Sequence, residues 1–295
     1  MQANQKTISR NIHESDITAP VEPAHVYSTQ HSPTVSAWRD IKDGLFKWRI
    51  WLMLAYQDIK LRYRRSVLGP FWLTISMAIT VYSMGYLYSH LFHIPLSNYY
   101  PFLVSGMLSW SLISTIVMEF SEGFAASDNL IKQLKLPYSL YIHRTVCRNI
   151  IIFFHNLIVI VPILLIYHDT IKVNAYTLLL IPGLMILYYN AISYGLILSM
   201  LGARYRDISQ IIKSLVQVVF FITPIMWKPE VLGADNQLLV DLNPIYGFLE
   251  FIRQPLLGAT PTLKNLVSVL IVTTLGTIIC ARMFAKYRAR IVYWL

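Results

Sequence analysis

The chain has 295 residues, of which 55% are hydrophobic and only 14% charged, and this apolar content exceeds that of ordinary soluble domains. The net charge of +10 would be compatible with nucleic acid, but the basic residues flank apolar stretches. We therefore assign them to anionic lipid headgroups and expect no nucleic-acid binding. Two cysteines, Cys147 and Cys280, are too few for a disulfide framework or a metal cluster. The composition predicts an all-α polytopic membrane protein.

The N-terminal region divides into a tail and an amphipathic helix. Residues 1–34 are polar, lack periodicity and contain no signal-peptide core, which predicts a disordered cytoplasmic tail. Residues 35–67 predict a helix in the membrane interface, followed by the basic cluster KLRYRR. An apolar stripe in steps of three and four residues marks this helix: Trp38, Ile41, Leu45, Trp48, Leu52, Ala55 and Ile59. A short coiled-coil arm is the alternative interpretation.

Six apolar stretches of membrane-spanning length follow within residues 68–282. Their approximate bounds are 68–92, 99–120, 149–167, 173–203, 208–227 and 265–281. With six spans, 21 of the 25 lysines and arginines lie on one side of the membrane and 4 on the other. Because cytoplasmic loops carry the excess of basic residues, both termini, including residues 283–295, are expected in the cytoplasm.

A polar segment at 121–144 separates the second and third predicted spans. Within it, Ser127 or Asp128 is expected to cap a short helix, and Pro137 is expected to end that helix. The expected apolar side of the helix consists of Leu130, Ile131 and Leu134. A short amphipathic helix at the cytoplasmic end of two spans is suited to docking a soluble partner; a solvated loop helix is the alternative.

Aromatic and polar side chains share stripes on the first and fifth predicted spans. On the fifth, the stripe is polar near the cytoplasm and aromatic near the outer side, which indicates a hydrated path for a sugar-like substrate. The candidate lining is Trp72, Tyr82, Tyr86, Gln217, Phe220, Phe221 and Trp227. Bundle packing together with an interfacial aromatic belt is the alternative.

The segment between the fifth and sixth spans contains a short helix of its own. Asn243 and Pro244 form a typical helix start, and Pro255 is expected to end the helix. Because ten residues cover only about 15 Å, this helix is interfacial or re-entrant on the outer side. Glu250 and Arg253 lie three residues apart and are expected to pair or to face water, with a substrate contact as the alternative.

No motif for catalysis is found in the sequence. It contains no GxxxxGK[ST] phosphate loop and no HExxH, CxxC or GxSxG pattern. The spans lack central carboxylates, so an ion-coupled carrier is disfavoured and the energy for transport is expected from another protein. We therefore expect no enzyme activity, no cofactor and no metal in this chain.

Five stretches in register carry a resemblance to a known family. They are DIKLRYRRSVLGPFW at 58–72, NLIKQLKLP at 129–137, ARYRDI at 203–208, ITPIMW at 222–227 and LNPIYGFLEFIRQPLLG at 242–258. Together with six spans in this order, they resemble the membrane subunit of type-2 ABC exporters for polysaccharides, such as the permeases for O-antigen, capsule and teichoic acid. The likeness extends from residue 36 to the C-terminus.

The resemblance implies a bacterial inner-membrane homodimer with two copies of a separate ATP-binding subunit, which would hold ATP and magnesium. In the family, the loop between spans 2 and 3 carries a coupling helix that docks on the ATPase. This loop corresponds to residues 127–137 and to the candidate contacts Asp128, Asn129, Leu130, Lys132 and Lys135. The family's amphipathic N-terminal helix also touches the ATPase, and spans 1 and 5 line its channel. Its short outer helices after span 5 correspond to residues 229–258. The implied cargo is a lipid-linked glycan, whereas the polar tail has no counterpart.

Two other function classes remain open at this point. A type-2 ABC permease for drugs or other lipids would share the six-span plan. A membrane enzyme acting on lipid carriers would need a set of catalytic groups at one membrane face, and the sequence does not provide such a set.

Overall fold

The computed structural model describes residues 32–69, 71–167, 174–232 and 237–295, and among these residues it contains helices and no strand. The thirteen α-helices of the described residues are α1 Pro33–Phe46, α2 Trp48–Arg62, α3 Phe71–Leu91, α4 Leu96–Ser121, α5 Asp128–Gln133, α6 Tyr138–Asn156, α7 Val161–Ile166, α8 Leu180–Arg204, α9 Ile208–Ile222, α10 Gln237–Asp241, α11 Pro244–Leu256, α12 Leu263–Tyr287 and α13 Ile291–Trp294. The predicted tail lies outside the described residues up to residue 31, and Lys172 also lies outside them.

The centre of the bundle is α4, whose side chains are buried along most of its length. It packs against α3, α6, α8, α9 and α11. Two of its serines are accommodated in the core because their hydroxyls donate within the helix: Ser105 to the carbonyl of Pro101 at 2.7 Å and Ser109 to that of Ser105 at 2.7 Å. These bonds remove the cost of burying a hydroxyl and let small side chains face the neighbouring helices.

Four stretches of the described residues are long and apolar enough to cross a membrane. They are Leu96–Ser121, Tyr138–Ile166, Ala175–Arg204 and Leu263–Trp294. The first and fifth predicted spans correspond to α3 and α9, which are not in this group. Ser, Thr and Tyr side chains interrupt the apolar sequence of α3, and the 15 residues of α9 rise only about 22 Å. Length and composition alone therefore establish four candidate spans.

The third predicted span begins earlier than its apolar stretch indicates. α6 starts at Tyr138, so part of the segment predicted as a loop is helical. The charged residues Arg144 and Arg148 are accommodated in this helix because carboxylates of α2 and α4 pair with them. Pro137 precedes the first turn of α6, whereas the preceding helix, α5, ends at Gln133. The expectation that Pro137 ends the short helix was wrong.

The predicted amphipathic helix is two helices, α1 and α2, which are separated at Lys47. α1 packs against α6 and α12, and α2 packs against α6. The buried positions of the two helices are Ala37, Asp40, Gly44, Ala55 and Ile59. Several large members of the predicted stripe are exposed instead: Trp38, Leu45, Trp48 and Leu52. Small side chains thus let the two helices approach the bundle closely, while the bulky apolar ones point outward.

The short helix α11 packs inside the bundle against α4, α8 and α12. It begins as predicted, because the Asn243 side chain accepts a hydrogen bond from the backbone N–H of Ile245 at 3.0 Å, and Pro244 occupies the first turn. Pro255 lies within the last turn, and the helix ends one residue later.

Candidate functional site

Two weakly buried helices, α3 and α9, both pack against α4. No residue of α9 is buried, and α3 buries only Thr74, Val81, Gly85 and Ser89. α4 adds a partly exposed stripe on this side of the bundle. We call this surface the open face, and it comprises Trp72, Ser76, Thr80 and Tyr86 of α3, Met107, Ser111 and Thr115 of α4, and Gln217 and Phe221 of α9. It carries both aromatic rings and hydroxyl groups.

The three aromatic residues predicted on α3 differ in their surroundings. Trp72 is 54% exposed and Tyr86 is 61% exposed, so both rings are available for contact. Tyr82 is half-buried, and its hydroxyl donates to the carbonyl of Val159 at 2.6 Å. Its ring also meets that of Tyr100 edge-on at 6.0 Å. Of the three aromatic residues predicted on α3, Trp72 and Tyr86 therefore supply the accessible surface.

The predicted residues of α9 and of the loop after it differ in their exposure. Gln217 and Phe221 are exposed, whereas Phe220 is half-buried against Trp110, with ring centroids 5.7 Å apart. Trp227 lies beyond the end of the helix, and its indole N–H donates to the carbonyl of Phe221 at 3.3 Å. The aromatic residues are thus concentrated where α9 ends.

A cavity of about 310 Å³, with a largely apolar wall and several polar side chains, lies between α3, α4 and α6. We call it the hydroxyl cavity because its polar lining consists of Ser76, Thr80, Ser111, Thr115, Asn149 and Asn156, with Arg62 also on the wall. Its apolar lining includes Leu73, Met77 and Phe153. This cavity was not predicted from the sequence, although hydroxyl residues spaced by four on both α3 and α4 were a visible signal of it.

The predicted docking residues lie on and beside α5. Asp128 and Lys132 form an i,i+4 ion pair at 2.9 Å. Ile131 is buried and Leu130 half-buried, so they anchor the helix to the bundle. The predicted residues that remain exposed are Asn129, Lys132 and Lys135, and Leu134 is exposed with them. The anchored helix therefore presents a basic and partly apolar surface to the outside.

A cluster of charges joins α2, α4 and α6 at the α5 end of the bundle. Asp58 accepts from Arg144 at 2.5 Å and from Arg148 at 2.6 Å, and Arg148 also donates to Glu119 at 2.7 Å. Burial by itself would raise the pKa of the Asp58 carboxyl, but hydrogen bonds and positive charge from the two arginines hold that pKa below its usual value. Asp58 is therefore ionised at neutral pH.

A second polar junction joins α1, α6 and the chain after α12 through Asp40, which is 2% exposed. Its carboxylate accepts from the backbone N–H groups of Ser139 at 3.0 Å and Tyr138 at 3.1 Å. It also accepts from the Ser139 hydroxyl at 3.0 Å and from Arg288 at 2.8 Å. A residue 99 positions away thus caps the first turn of α6.

The outer-helix pair of Glu250 and Arg253 is buried. The Arg253 guanidinium donates to Glu250 at 2.9 Å and to the carbonyls of Pro224 at 2.8 Å and Ile225 at 3.2 Å. It also lies 4.3 Å from the centroid of the Phe102 ring. This one side chain therefore connects α11 to α4 and to the loop that leaves α9.

The roles of Asp40, Asp58 and Glu119 were not predicted from the sequence. Their signal in the sequence is weak: Asp40 and Asp58 each lie within two residues of a basic residue, and Glu119 lies near Glu122 with no lysine or arginine within ten residues. Only the packing of distant helices shows that they pair with α6.

Comparison with known proteins gives consistent matches. A sequence profile described as "ABC-2 type transporter" matches residues 49–257. Two proteins from Klebsiella pneumoniae named "O-antigen export system permease protein RfbA" are each 20% identical over 240 residues, covering 81% of this chain and 92% of the relative. A protein of the same name from Myxococcus xanthus is 21% identical over 212 residues, covering 70% and 79%. These matches confirm the resemblance drawn from the sequence.

Proposed function

Because the chain belongs to the ABC-2 type transporter family, as a multi-pass membrane subunit and not the ATPase, we propose that it exports lipid-linked polysaccharide such as O-antigen or capsule. The cargo is carried over from the relatives, whose names describe O-antigen export. The observation that supports it in this chain is the open face. Exposed aromatic rings beside hydroxyl groups suit a substrate with both hydroxyls and apolar ring faces.

In this proposal the transport path forms between two copies of the chain. The open faces of two protomers would enclose a channel, with Trp72 and Tyr86 of α3 opposite the exposed residues of α9. We take α3 and α9 as the remaining two of six spans. The hydroxyl and aromatic side chains of α3 and the Gln217 side chain of α9 would border a hydrated channel, and this explains why α3 lacks the composition of a lipid-surrounded helix. α9 is apolar but has only 15 residues. Rings that stack without fixed hydrogen bonds would let a glycan slide.

The proposed topology places both termini and α5 in the cytoplasm of a bacterium, with the chain in the inner membrane. The excess of lysine and arginine on that side supports this orientation. The outward-facing tryptophans of α1 and α2 suit helices that lie along the membrane surface.

Energy would come from the ABC partner that the family implies. In the proposal, two copies of that partner bind ATP and magnesium, and their closure pushes α5. The movement passes into α6 through the short link that includes Pro137, and into α2 and α4 through the Asp58 and Glu119 ion pairs. α3 and α9 would then separate to open the path.

Deleting the gene in the native cell tests the proposal. We expect loss of surface polysaccharide together with accumulation of lipid-linked glycan in the cytoplasmic leaflet. Both pools can be measured by surface staining and by lipid extraction. Normal surface glycan without an inner pool would instead favour an exporter of drugs or other lipids.

The docking surface makes a separate prediction. Reversing the charges of Lys132 and Lys135 to glutamate should weaken association with the ABC partner by about tenfold or more, because both are exposed on the anchored α5. Co-purification measures the effect. Replacing both lysines with glutamine should weaken the association less. Lys264→Glu, on the proposed outer side, should not weaken it. Undiminished association of the double glutamate variant would argue against docking at α5.

The channel lining makes a further prediction. Trp72→Ala and Phe221→Ala should each lower the export rate by about threefold to tenfold, because each removes an exposed stacking surface. The proportion of chain bound to the ABC partner should not change. Phe154→Ala is a matched control, since this exposed ring lines an apolar groove on another side of α6. Equal export rates in all three variants would remove the channel assignment.

A further inference from the structure

The hydroxyl cavity holds polar groups that the fold does not use. The side-chain oxygens of Ser76, Ser111 and Thr115 line it and make no hydrogen bond with the part of the chain that the structure describes. Asn156 accepts from Thr74 at 3.3 Å through its carbonyl oxygen, while its amide nitrogen makes no hydrogen bond with a described residue. Unpaired hydroxyl and amide groups in a largely apolar wall are available to a polar ligand.

The charges at one end of this cavity do not balance. Three guanidinium groups, those of Arg62, Arg144 and Arg148, meet two carboxylates. The carboxylates of Asp58 and Glu119 are already held at 2.5–2.8 Å by other donors. Arg62 reaches Glu119 only at 3.5 Å, and its side chain is 46% exposed. One positive charge is therefore left for an anion, and it belongs to the only arginine that lines the cavity among the described residues.

The size of the cavity limits what it can hold. About 310 Å³ lies at the lower end of the range for small-molecule sites, roughly 300–1,000 Å³. It can therefore receive one terminal unit of a polymer and not a stretch of chain. Leu73, Met77 and Phe153 supply apolar surface against which the C–H face of a sugar ring can pack.

Resting on the proposed function, we propose that the hydroxyl cavity binds the phosphate-bearing first sugar of the lipid-linked glycan. Arg62 pairs with the phosphate by charge-assisted hydrogen bonds, and the serine, threonine and asparagine groups bind the sugar hydroxyls. The phosphate end stays near the α5 end of the bundle, where Arg62 lies, and the sugar points along α3 and α4. The site thus selects the reducing end of the cargo before the polymer passes along the open face.

A phosphate group could also come from a membrane phospholipid, so the test separates the two sources. The complex with its ABC partner is placed in phosphatidylcholine nanodiscs. Binding is then measured by native mass spectrometry for three probes: a polyprenyl diphosphate carrying one sugar, the bare polyprenyl diphosphate, and phosphatidylglycerol. We expect the sugar-bearing probe to bind about tenfold more tightly than the bare one and both to bind more tightly than phosphatidylglycerol.

Two variants test which side chains of the cavity bind the diphosphate and which bind the sugar. Arg62→Gln should lower the affinity for both diphosphate probes by about tenfold. Ser111→Ala combined with Thr115→Val should lower the affinity for the sugar-bearing probe only. Lys60→Gln is the charge-matched control, because Lys60 is exposed two residues from Arg62 and does not line the cavity. The thermal unfolding midpoint and co-purification with the partner verify that each variant is folded.

Three results would overturn the assignment. They are equal binding of phosphatidylglycerol, an equal loss in Lys60→Gln and Arg62→Gln, and unchanged binding in both cavity variants. If one of these occurs while gene deletion still abolishes surface glycan, this site is wrong and the proposed function stands. Failure of the wild-type complex to bind either diphosphate probe, together with normal surface glycan after deletion, would reject the proposed function itself.

Discussion

Replacing Asp40 with alanine is expected to destabilise the protein by about 2–4 kcal/mol, through the loss of a helix cap and the exposure of unpaired buried donors. The variant removes the acceptor for the first N–H groups of α6, for the Ser139 hydroxyl and for Arg288. Because these donors belong to different parts of the chain, α1 should separate from the bundle. The measurements are the thermal unfolding midpoint and the rate of tryptic cleavage after Arg39 and Lys42, which are exposed on α1.

Asp43 provides the control for this variant. It lies one turn further along α1 and is exposed, and its side chain makes no hydrogen bond or ion pair with the described residues. Asp43→Ala should therefore change the free energy of unfolding by no more than about 0.5 kcal/mol. The thermal midpoint and the cleavage rate should stay at their wild-type values. Arg288→Ala should have a smaller effect than Asp40→Ala, since the arginine is partly exposed and the cap on α6 persists. Equal effects of Asp40→Ala and Asp43→Ala would contradict the role of the junction.

Replacing Arg253 with methionine is expected to cost about 3–5 kcal/mol, because it leaves the carboxylate of Glu250 buried without its charged partner. The Gln254 amide, at 2.6 Å, remains as its neutral donor. The same change removes the donors to the carbonyls of Pro224 and Ile225. The loop after α9 would lose its bonds to Arg253 and keep the bond from the Asn243 amide, at the start of α11, to the Thr223 hydroxyl at 2.8 Å. Export should be abolished together with the loss of stability. Thermal unfolding in detergent and the export assay measure the two effects.

A double variant separates the charge effect from the loss of packing. Glu250→Gln combined with Arg253→Met removes both members of the pair, and it should be more stable than Arg253→Met alone by about 1–3 kcal/mol. Export should remain impaired in the double variant, since the loop carbonyls still lack their donor. Arg253→Lys keeps a charge but not the planar group that contacts Glu250, the carbonyls and Phe102 together, and should be intermediate. If the double variant is less stable than the single one, the buried carboxylate is not the main source of the cost.

The two junctions explain why these effects extend beyond one helix. Asp40 connects the N-terminal helix, the start of α6 and the segment after α12. Arg253 connects α11, the loop after α9 and the ring of Phe102 on α4. One junction is near α5 and the other is near the distal end of α9. Under the proposed mechanism, the Asp40 junction lies at the start of α6, which receives the movement of α5, and the Arg253 junction anchors the loop after α9 to α4 and α11.

The predicted interface helix shows where periodicity succeeds and where it fails. Steps of three and four residues correctly indicated helices over this region, because an apolar stripe at that spacing is a property of the local sequence. The same stripe was expected to mark one continuous helix, yet the chain breaks at Lys47 and buries Ala37, Asp40 and Gly44 instead. Periodicity cannot distinguish an apolar face that meets protein from one that meets lipid, since both environments accept the same side chains.

By itself, the sequence determined the all-helical class, the membrane location, the family and the positions of the polar segments. These follow from apolar stretches, charge blocks and motifs, each of which is contained in a short run of residues. Only the tertiary structure decided that Asp40 caps a helix 99 residues away, that Arg253 is buried, that Tyr82 bonds to Val159, and that a hydroxyl cavity exists between α3, α4 and α6. Each of these depends on which helices become neighbours, and the free energy of a buried polar group depends on partners supplied from distant parts of the chain.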